Sequence, residues 1–165
     1  MNAATSGEAA RTTTVRKSDR ELVVTRTFNA PRNLVFRAWS DAEIFKKWWV
    51  PKSVPITLLS CEMDVRTSGR YKLVFDASPE PMAFFGRYIE VVAPSKIQWT
   101  NEEACEAGQV TTVTFEEKGG KTLVVMHDLY PSKEALDEAI ASGSTGAANE
   151  TFEQLEAFLA EGTSR

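Results

Sequence analysis

Residues 28–51 read FNAPRNLVFRAWSDAEIFKKWWVP, and their punctuation predicts two short helices back to back. Pro31 stands at a helix start, where its fixed φ helps and its missing N–H costs nothing. Leu34, Val35, Ala38 and Trp39 fall on one helical stripe. Ser40 and Glu43 form an S-x-x-E capping box, which predicts that a second helix starts at once. Ile44, Phe45, Trp48 and Trp49 make its apolar side. Val50-Pro51 ends it, because the residue before a proline avoids the α region.

On either side of this segment the pattern is mostly strand-like. Glu21–Phe28 is rich in β-branched residues and reads as a first strand. Residues 56–65 alternate, with Leu59, Cys61 and Met63 on one face. Tyr71, Leu73 and Phe75 alternate along the next strand, ahead of a loop at residues 78–81. Residues 83–92 form another, with Gly86 inside it as a sign of a bulge or close packing. Gly86, Tyr88 and Glu90 then share a face. Ile97 and Trp99 point the same way in residues 96–100, and an acidic loop follows at 101–108. Residues 110–117 and 121–128 flank Gly119-Gly120, a strong hairpin signal. Beyond Pro131 the period changes. Ser132 caps a helix through Ile140, Gly143 stops it, and a last helix covers residues 146–160. Ala148, Phe152, Leu155 and Leu159 lie on one face of that helix, while Glu150, Glu153 and Glu156 face water.

An antiparallel sheet with one long apolar helix has a natural solution: the sheet curls and grips the helix, giving an α+β domain. The two short helices then close one end. The chain has 165 residues, enough for one domain that buries roughly 70% of its unfolded surface. Residues 1–19, rich in Ser, Thr, Ala and charge, read as a disordered tail, and residues 20–162 as the domain.

Composition narrows the function classes. The net charge of −4 argues against nucleic acid, whose phosphates call for a basic surface. No apolar run approaches the ~18 residues of a membrane span. The N-terminus lacks the apolar centre of a secretory signal, so a cytoplasmic location is expected. The two cysteines, Cys61 and Cys105, show neither metal-ligand spacing nor a disulfide framework. His127 is the single histidine, which nearly excludes a histidine metal site. No phosphate loop, dinucleotide fingerprint or nucleophile elbow is present, so neither cofactor nor metal is expected.

Several short pieces in a fixed order carry a resemblance. They are Phe28-Asn-Ala-Pro31 with Val35-Phe36-Arg-Ala-Trp39-Ser-Asp41, then Lys47-Trp-Trp49 before Pro51-Lys52. Next come Asp64-Val-Arg66 before Gly69-Arg-Tyr71, Gly86 with Glu90-Val91 before Pro94, and Ile97-Gln-Trp-Thr100. Gly143 and Gly146 before a leucine-bearing helix complete the set. The chain thereby resembles the START-like (helix-grip) superfamily, which includes the birch pollen allergen fold and polyketide cyclases. Within it, the match is to the family named for the C-terminal domain of the heat-shock-protein-90 ATPase activator. The resemblance implies a curved antiparallel sheet around a long C-terminal helix. One departure stands out: many relatives carry a bulky aromatic just after the second glycine, where this chain has Ala147-Ala148. A small residue there would enlarge a cavity or relieve a clash.

The candidate ligand-contacting residues are largely aromatic: Trp39, Trp48, Trp49, Tyr71, Phe75 and Phe84, with Tyr88, Trp99 and Phe152. Each taken alone is more often a core residue than a ligand contact. Together they exceed what one helix covers, and an apolar cavity with a few polar groups is the usual small-molecule site. Adjacent Trp48 and Trp49 cannot both face the same way. His127 shares strand parity with Leu123 and Val125, and Val124 and Met126 take the other face. Either face is apolar, so parity leaves open which one points inward, and a face bearing Val124 and Met126 is either core or covered by a second copy in a homodimer. His127, if inward, could orient a ligand or exchange a proton. Glu90 in an apolar cavity would need a partner such as Arg70 or Arg87. Cys61 reads as a small buried hydrophobe rather than a nucleophile.

Three functions are compatible with these residues. The first is a domain that holds a hydrophobic small molecule, such as a lipid, a polyketide-like or an aromatic metabolite. The second, implied by the resemblance alone, is a co-chaperone-like partner of a heat-shock ATPase, although that co-chaperone carries a separate N-terminal domain for which this chain leaves no room. The third is an enzyme of cyclase, dehydratase or hydrolase type, which would need an acid–base pair such as His127 and Glu90. The binding domain is favoured, and no residue pattern demands catalysis.

Overall fold

Alternation in the first strand becomes a two-faced ribbon: Leu22, Val24, Arg26 and Phe28 are buried, and the residues between them are half exposed. The computed structural model describes residues 12–50, 52–53, 57–76, 80–102, 108–141 and 147–163. Among them, the strands are β1 Thr13–Arg16, β2 Glu21–Phe28, β3 Thr57–Met63, β4 Arg70–Asp76, β5 Met82–Val92, β6 Lys96–Asn101, β7 Gln109–Lys118 and β8 Lys121–Leu129. The helices are α1 Arg32–Ser40, α2 Ala42–Trp48, α3 Lys133–Ala141 and α4 Ala147–Thr163. The strands make one antiparallel sheet in the order β1-β2-β8-β7-β6-β5-β4-β3. β3 to β8 are thus a meander, and β2 closes onto β8 with Phe28 opposite Thr122 and Glu21 opposite Leu129. The expected α+β, helix-grip architecture is the one found, a curved sheet with helices on one face.

The core lies between that sheet and the helices. Val24, Val113 and Val124 from the sheet meet Val35 and Trp39 from α1 and Phe152 and Leu155 from α4. Each such side chain, fully removed from water, stabilises the fold by roughly 1.5–3 kcal/mol before the entropy of ordering is counted. Val124 and Met126 are core, so they supply no outer face for a second copy. A smaller cluster of Leu22, Tyr130 and Leu136 seats α3 at the other end of β2 and β8. Gly119 and Gly120 take φ of 59° and 83°, which a glycine pair adopts without strain, and this closes the β7–β8 hairpin.

The helical pair forms as expected, with two changes of detail. Asp41, not Ser40, caps α2: its carboxylate accepts from the N–H groups of Glu43 and Ile44, at 2.9 and 3.4 Å. Ser40 is still helical, the last residue of α1, so its hydroxyl is not placed to cap. On α1 the buried stripe is Val35, Phe36, Ala38 and Trp39, while Leu34 is exposed. The pair bridges the sheet, α1 packing on β7 and β8 and α2 on β3, with both against α4.

The simple period-2 reading fails at two irregularities in the ladder. A register shift between Leu58 and Ser60 turns Leu59 outward and Leu58 toward the core, so Cys61 and Met63 keep inward company with Leu58 rather than Leu59. A second shift, between Tyr88 and Glu90, leaves Tyr88 buried and Glu90 exposed. Gly86 marks a close approach: a Cβ there would collide with the carbonyl of Thr100.

The N-terminal segment departs from the expected disordered tail. Thr13–Arg16 pairs antiparallel with β2, Thr13 opposite Thr25 and Arg16 opposite Leu22, although all four residues are exposed. Residues 1–11 lie outside the described residues, as do Pro51, the 78–79 part of the expected loop, Cys105, Gly143 and Gly146. The side chains of Ala147 and Ala148 are outside the description too. None of the described helices is long and apolar enough to cross a membrane.

Candidate functional site

The gripped interior is aromatic. Trp39 sits among rings from three directions, with centroids 4.9 Å away for Trp48, 5.8 Å for Trp49 and 6.2 Å for Trp99. Phe115 and Phe152 complete the surround at 6.1 and 6.0 Å. Most of these meet edge to face or tilted, the favoured arrangement for ring quadrupoles. Trp48 is wholly buried and donates its indole N–H to the carbonyl of Ala38 at 3.0 Å. Trp49 turns the other way, stacks on Phe45 at 4.7 Å and stays partly exposed. The sheet adds two pairs, Tyr71 with Tyr88 at 5.7 Å and Phe75 with Phe84 at 5.5 Å.

The aromatic candidates therefore come together on the inner face. Trp39, Trp48, Phe75, Tyr88 and Phe152 are buried. Trp49, Tyr71, Phe84 and Trp99 pack on the same cluster and remain partly open. The two ionisable candidates do not join them. His127 is on the face opposite Val124 and Met126, with its Nε2 2.8 Å from the Glu21 carboxylate. That hydrogen bond, followed by one from Ser18, holds Glu21 below the ordinary carboxylate range. Glu90 is turned outward by the bulge and accepts from Lys96 Nζ at 2.6 Å. Arg87, on the same outer side, binds Glu102 at 2.9 Å, and this bond and one from Thr100 lower the Glu102 carboxyl. His127 and Glu90 are thus corrected from cavity residues to outer-face residues.

A polar chain on the inner face was not anticipated. Tyr88, Trp99, Thr111 and Asp128 are successive neighbours, with Tyr88 opposite Trp99, Trp99 opposite Thr111, and Thr111 opposite Asp128. Thr111 donates to Asp128 Oδ1 at 2.6 Å. Asn101 donates to Thr111 Oγ1 at 3.4 Å, and the Tyr71 hydroxyl lies 3.3 Å from Asn101 Oδ1 and 2.7 Å from the Thr100 carbonyl. Burial pushes the Asp128 carboxyl above its ordinary value, against the pull of hydrogen bonds from Thr111 and Gln109. Parity places Asp128 in phase with Val124 and Met126, but the opposite face of this strand is equally apolar, so only burial shows that this carboxylate faces the core. Burial likewise raises the Tyr88 hydroxyl and takes the Cys61 thiol to about 11, which keeps Cys61 protonated and unreactive, in line with a small buried hydrophobe.

The α2–β3 connection is strapped to α4. Gln154 Nε2 donates to the carbonyls of Trp48 and Val50 at 2.8 and 2.9 Å, and its Oε1 accepts from Lys52 N–H at 2.8 Å. Thr151 Oγ1 donates to the Trp49 carbonyl at 3.3 Å, and Glu150 accepts from Ser53 N–H at 3.0 Å. Glu150 is thereby a strap anchor rather than a water-facing residue. Glu156, also expected in water, lies 3.6 Å from Arg26, whose side chain is buried beneath α4. The segment expected to close one end of the interior is held by Gln154, Thr151 and Glu150 of α4, of which only Glu150 was expected to face water.

Comparison with known proteins agrees with this architecture. A family model described as "Activator of Hsp90 ATPase homolog 1-like protein" matches residues 29–160. A solved structure from Staphylococcus epidermidis is 28% identical, with a TM-score of 0.76 over 90% of this chain and 94% of that one. One from Rhodobacter sphaeroides superposes with a TM-score of 0.82 at 18% identity, covering 92% and 99%. The AHSA1-like protein from Aeromonas hydrophila, 18% identical, gives a TM-score of 0.65 over 82% and 92%. No curated protein matches the sequence significantly. The family match takes in everything from the residue after β2 to the body of α4, the helical pair and strands β3 to β8 included, and on that ground the chain belongs to the Activator of Hsp90 ATPase homolog 1-like family.

Proposed function

We propose that the domain binds a largely apolar small molecule against the inner face of its sheet, close to Trp49, Tyr71, Phe84 and Trp99. One observation carries this reading. These four large side chains point into the aromatic cluster and still keep part of their surface open to solvent. Aromatics that point inward yet keep some surface open are what a small-molecule site is lined with. The chain from Tyr71 through Asn101 and Thr111 to Asp128 supplies the few polar groups that orient a ligand.

An enzyme reading that relied on His127 and Glu90 loses its pair, since each is engaged with another partner on the outer face. Asp128 is the buried acid on the inner face, and it serves the binding reading as an anchor for a ligand hydroxyl. A chaperone partner is suggested by the family description, and an ATPase assay with the host's heat-shock protein decides it: an unchanged rate removes that reading.

The binding reading is tested by native mass spectrometry after incubation with a lipid and metabolite extract. The expected result is a retained adduct of defined mass that weakens in Trp99→Ala. Bare protein mass throughout the extract series removes the proposal.

A further inference from the structure

Trp39 carries an unmet chemical need. Its side chain is 2% exposed, and its indole Nε1 is shielded from solvent with no acceptor within hydrogen-bonding reach among the described residues. The surrounding rings cannot supply one. Phe45, Phe115 and Phe152 have no polar atom, and the indoles of Trp48, Trp49 and Trp99 are donors only. Edge-to-face neighbours offer at most a weak N–H···π contact. A lone water there would find no acceptor on these rings for its own protons. A buried donor left unpaired is uncommon enough to call for an explanation.

The position of this donor suggests one. Trp49 and Trp99, both partly exposed, lie against Trp39 on two sides, at 5.8 and 6.2 Å. Trp48, by contrast, is locked by its bond to Ala38. Of the indoles on Trp39, these two carry open surface, whereas Trp48 has none.

We propose that Trp39 is a specificity-determining donor: its Nε1–H binds a hydrogen-bond acceptor, of the carbonyl type, carried by a flat aromatic ligand that enters by displacing Trp49 or Trp99. This rests on the binding function proposed above and adds the ligand class. The ligand brings its own acceptor because the aromatic surround holds none, and it is flat and apolar because its other contacts are ring faces. An apolar ligand without an acceptor leaves the indole as unpaired as before.

The test uses two probes of nearly the same shape, 2-acetylnaphthalene and 2-ethylnaphthalene, titrated into the full chain. The ketone is expected to bind about fivefold to tenfold more tightly, the worth of one neutral hydrogen bond. Trp39→Phe, which removes the donor, is expected to bring the two probes level. Because Trp39→Phe can also loosen the core, the wild-type protein is read independently through ¹⁵N spectra of its four indoles. Trp49→Phe and Trp99→Phe remove their own signals and aid assignment. The Trp39 indole proton is expected to move downfield with the ketone and not with the ethyl analogue. Equal affinity with an unmoved Trp39 signal overturns the assignment of Trp39 while leaving apolar binding intact. Failure of both naphthalenes to bind also overturns it, and the separate extract experiment then decides whether binding survives.

Discussion

The indole N–H of Trp48 donates to the carbonyl oxygen of Ala38, 3.0 Å away and ten residues earlier, and so ties the end of α2 to α1. The two tryptophans side by side in the chain are separated in role by this bond. Trp48 is pinned inside the fold, and Trp49 is left on the open side of the cluster.

Trp48→Phe is expected to destabilise the domain by about 2 kcal/mol or more, since it strands a buried carbonyl and leaves a void. Thermal unfolding followed by circular dichroism should show a fall of about 4–8 °C for a domain of this size. A change of less than a degree would mean that the helical pair does not depend on this bond.

Gln154→Ala removes the side chain that holds the carbonyls of Trp48 and Val50 and the N–H of Lys52. The expected loss of stability is about 1–2 kcal/mol. The sharper readout is local: amide exchange at Lys52 and Ser53 should quicken while the β7–β8 amides keep their protection. Uniform quickening across the chain would show that Gln154 supports the whole fold rather than the strap.

Asp128→Asn tests the buried carboxyl. Its folded value is raised above the ordinary 3.8 by burial, so the folded state holds the proton more tightly than the unfolded state. Stability contributed by the neutral acid is complete below the ordinary value and is lost as pH rises through the raised one. Asparagine has no charge to bury, and the Gln109 amide can turn to suit it. The variant should therefore melt higher than wild type at neutral pH, by about 2–4 °C, with the gap closing as pH falls below about 4. A gap that widens toward acid would contradict a raised carboxyl.

His127→Gln and Glu90→Gln should leave the affinity for 2-acetylnaphthalene within about twofold, because both side chains stand on the outer face, away from the aromatic cluster. Either variant weakening the probe strongly would place that residue back beside the ligand. The exposed Glu90–Lys96 pair should also cost less than about 1 kcal/mol of stability when broken.

Much of the fold was legible because its signals are local. The proline at the head of α1, the glycine pair of the β7–β8 hairpin and the apolar face of Phe152, Leu155 and Leu159 each act over a few residues. The aromatic interior was legible for a similar reason, since large apolar residues in phase with a strand or helix go inside. Glu90 was misplaced because one extra residue in the ladder reverses the side chains beyond it, and Gly86, the nearby glycine that signals a bulge or close packing, marks the close approach to Thr100 and does not give the position of that shift. Asp128 was overlooked because a carboxylate in a core phase reads as an exception until Thr111 and Gln109 are seen beside it.

The sequence by itself determined the element order from β2 onward, the α+β class and the aromatic residues that fill the grip, while the short β1 pairing was missed. These follow from periodicity, capping and turn chemistry, all carried by the chain's nearest neighbours. Only the tertiary structure decided that His127 faces out with Glu21, that α4 straps Trp48 and Val50 through Gln154, and that the Trp39 indole is walled in without an acceptor. Those facts depend on which atoms from distant segments meet, and hydrogen bonds made or left unmade across a hundred residues have no local signature.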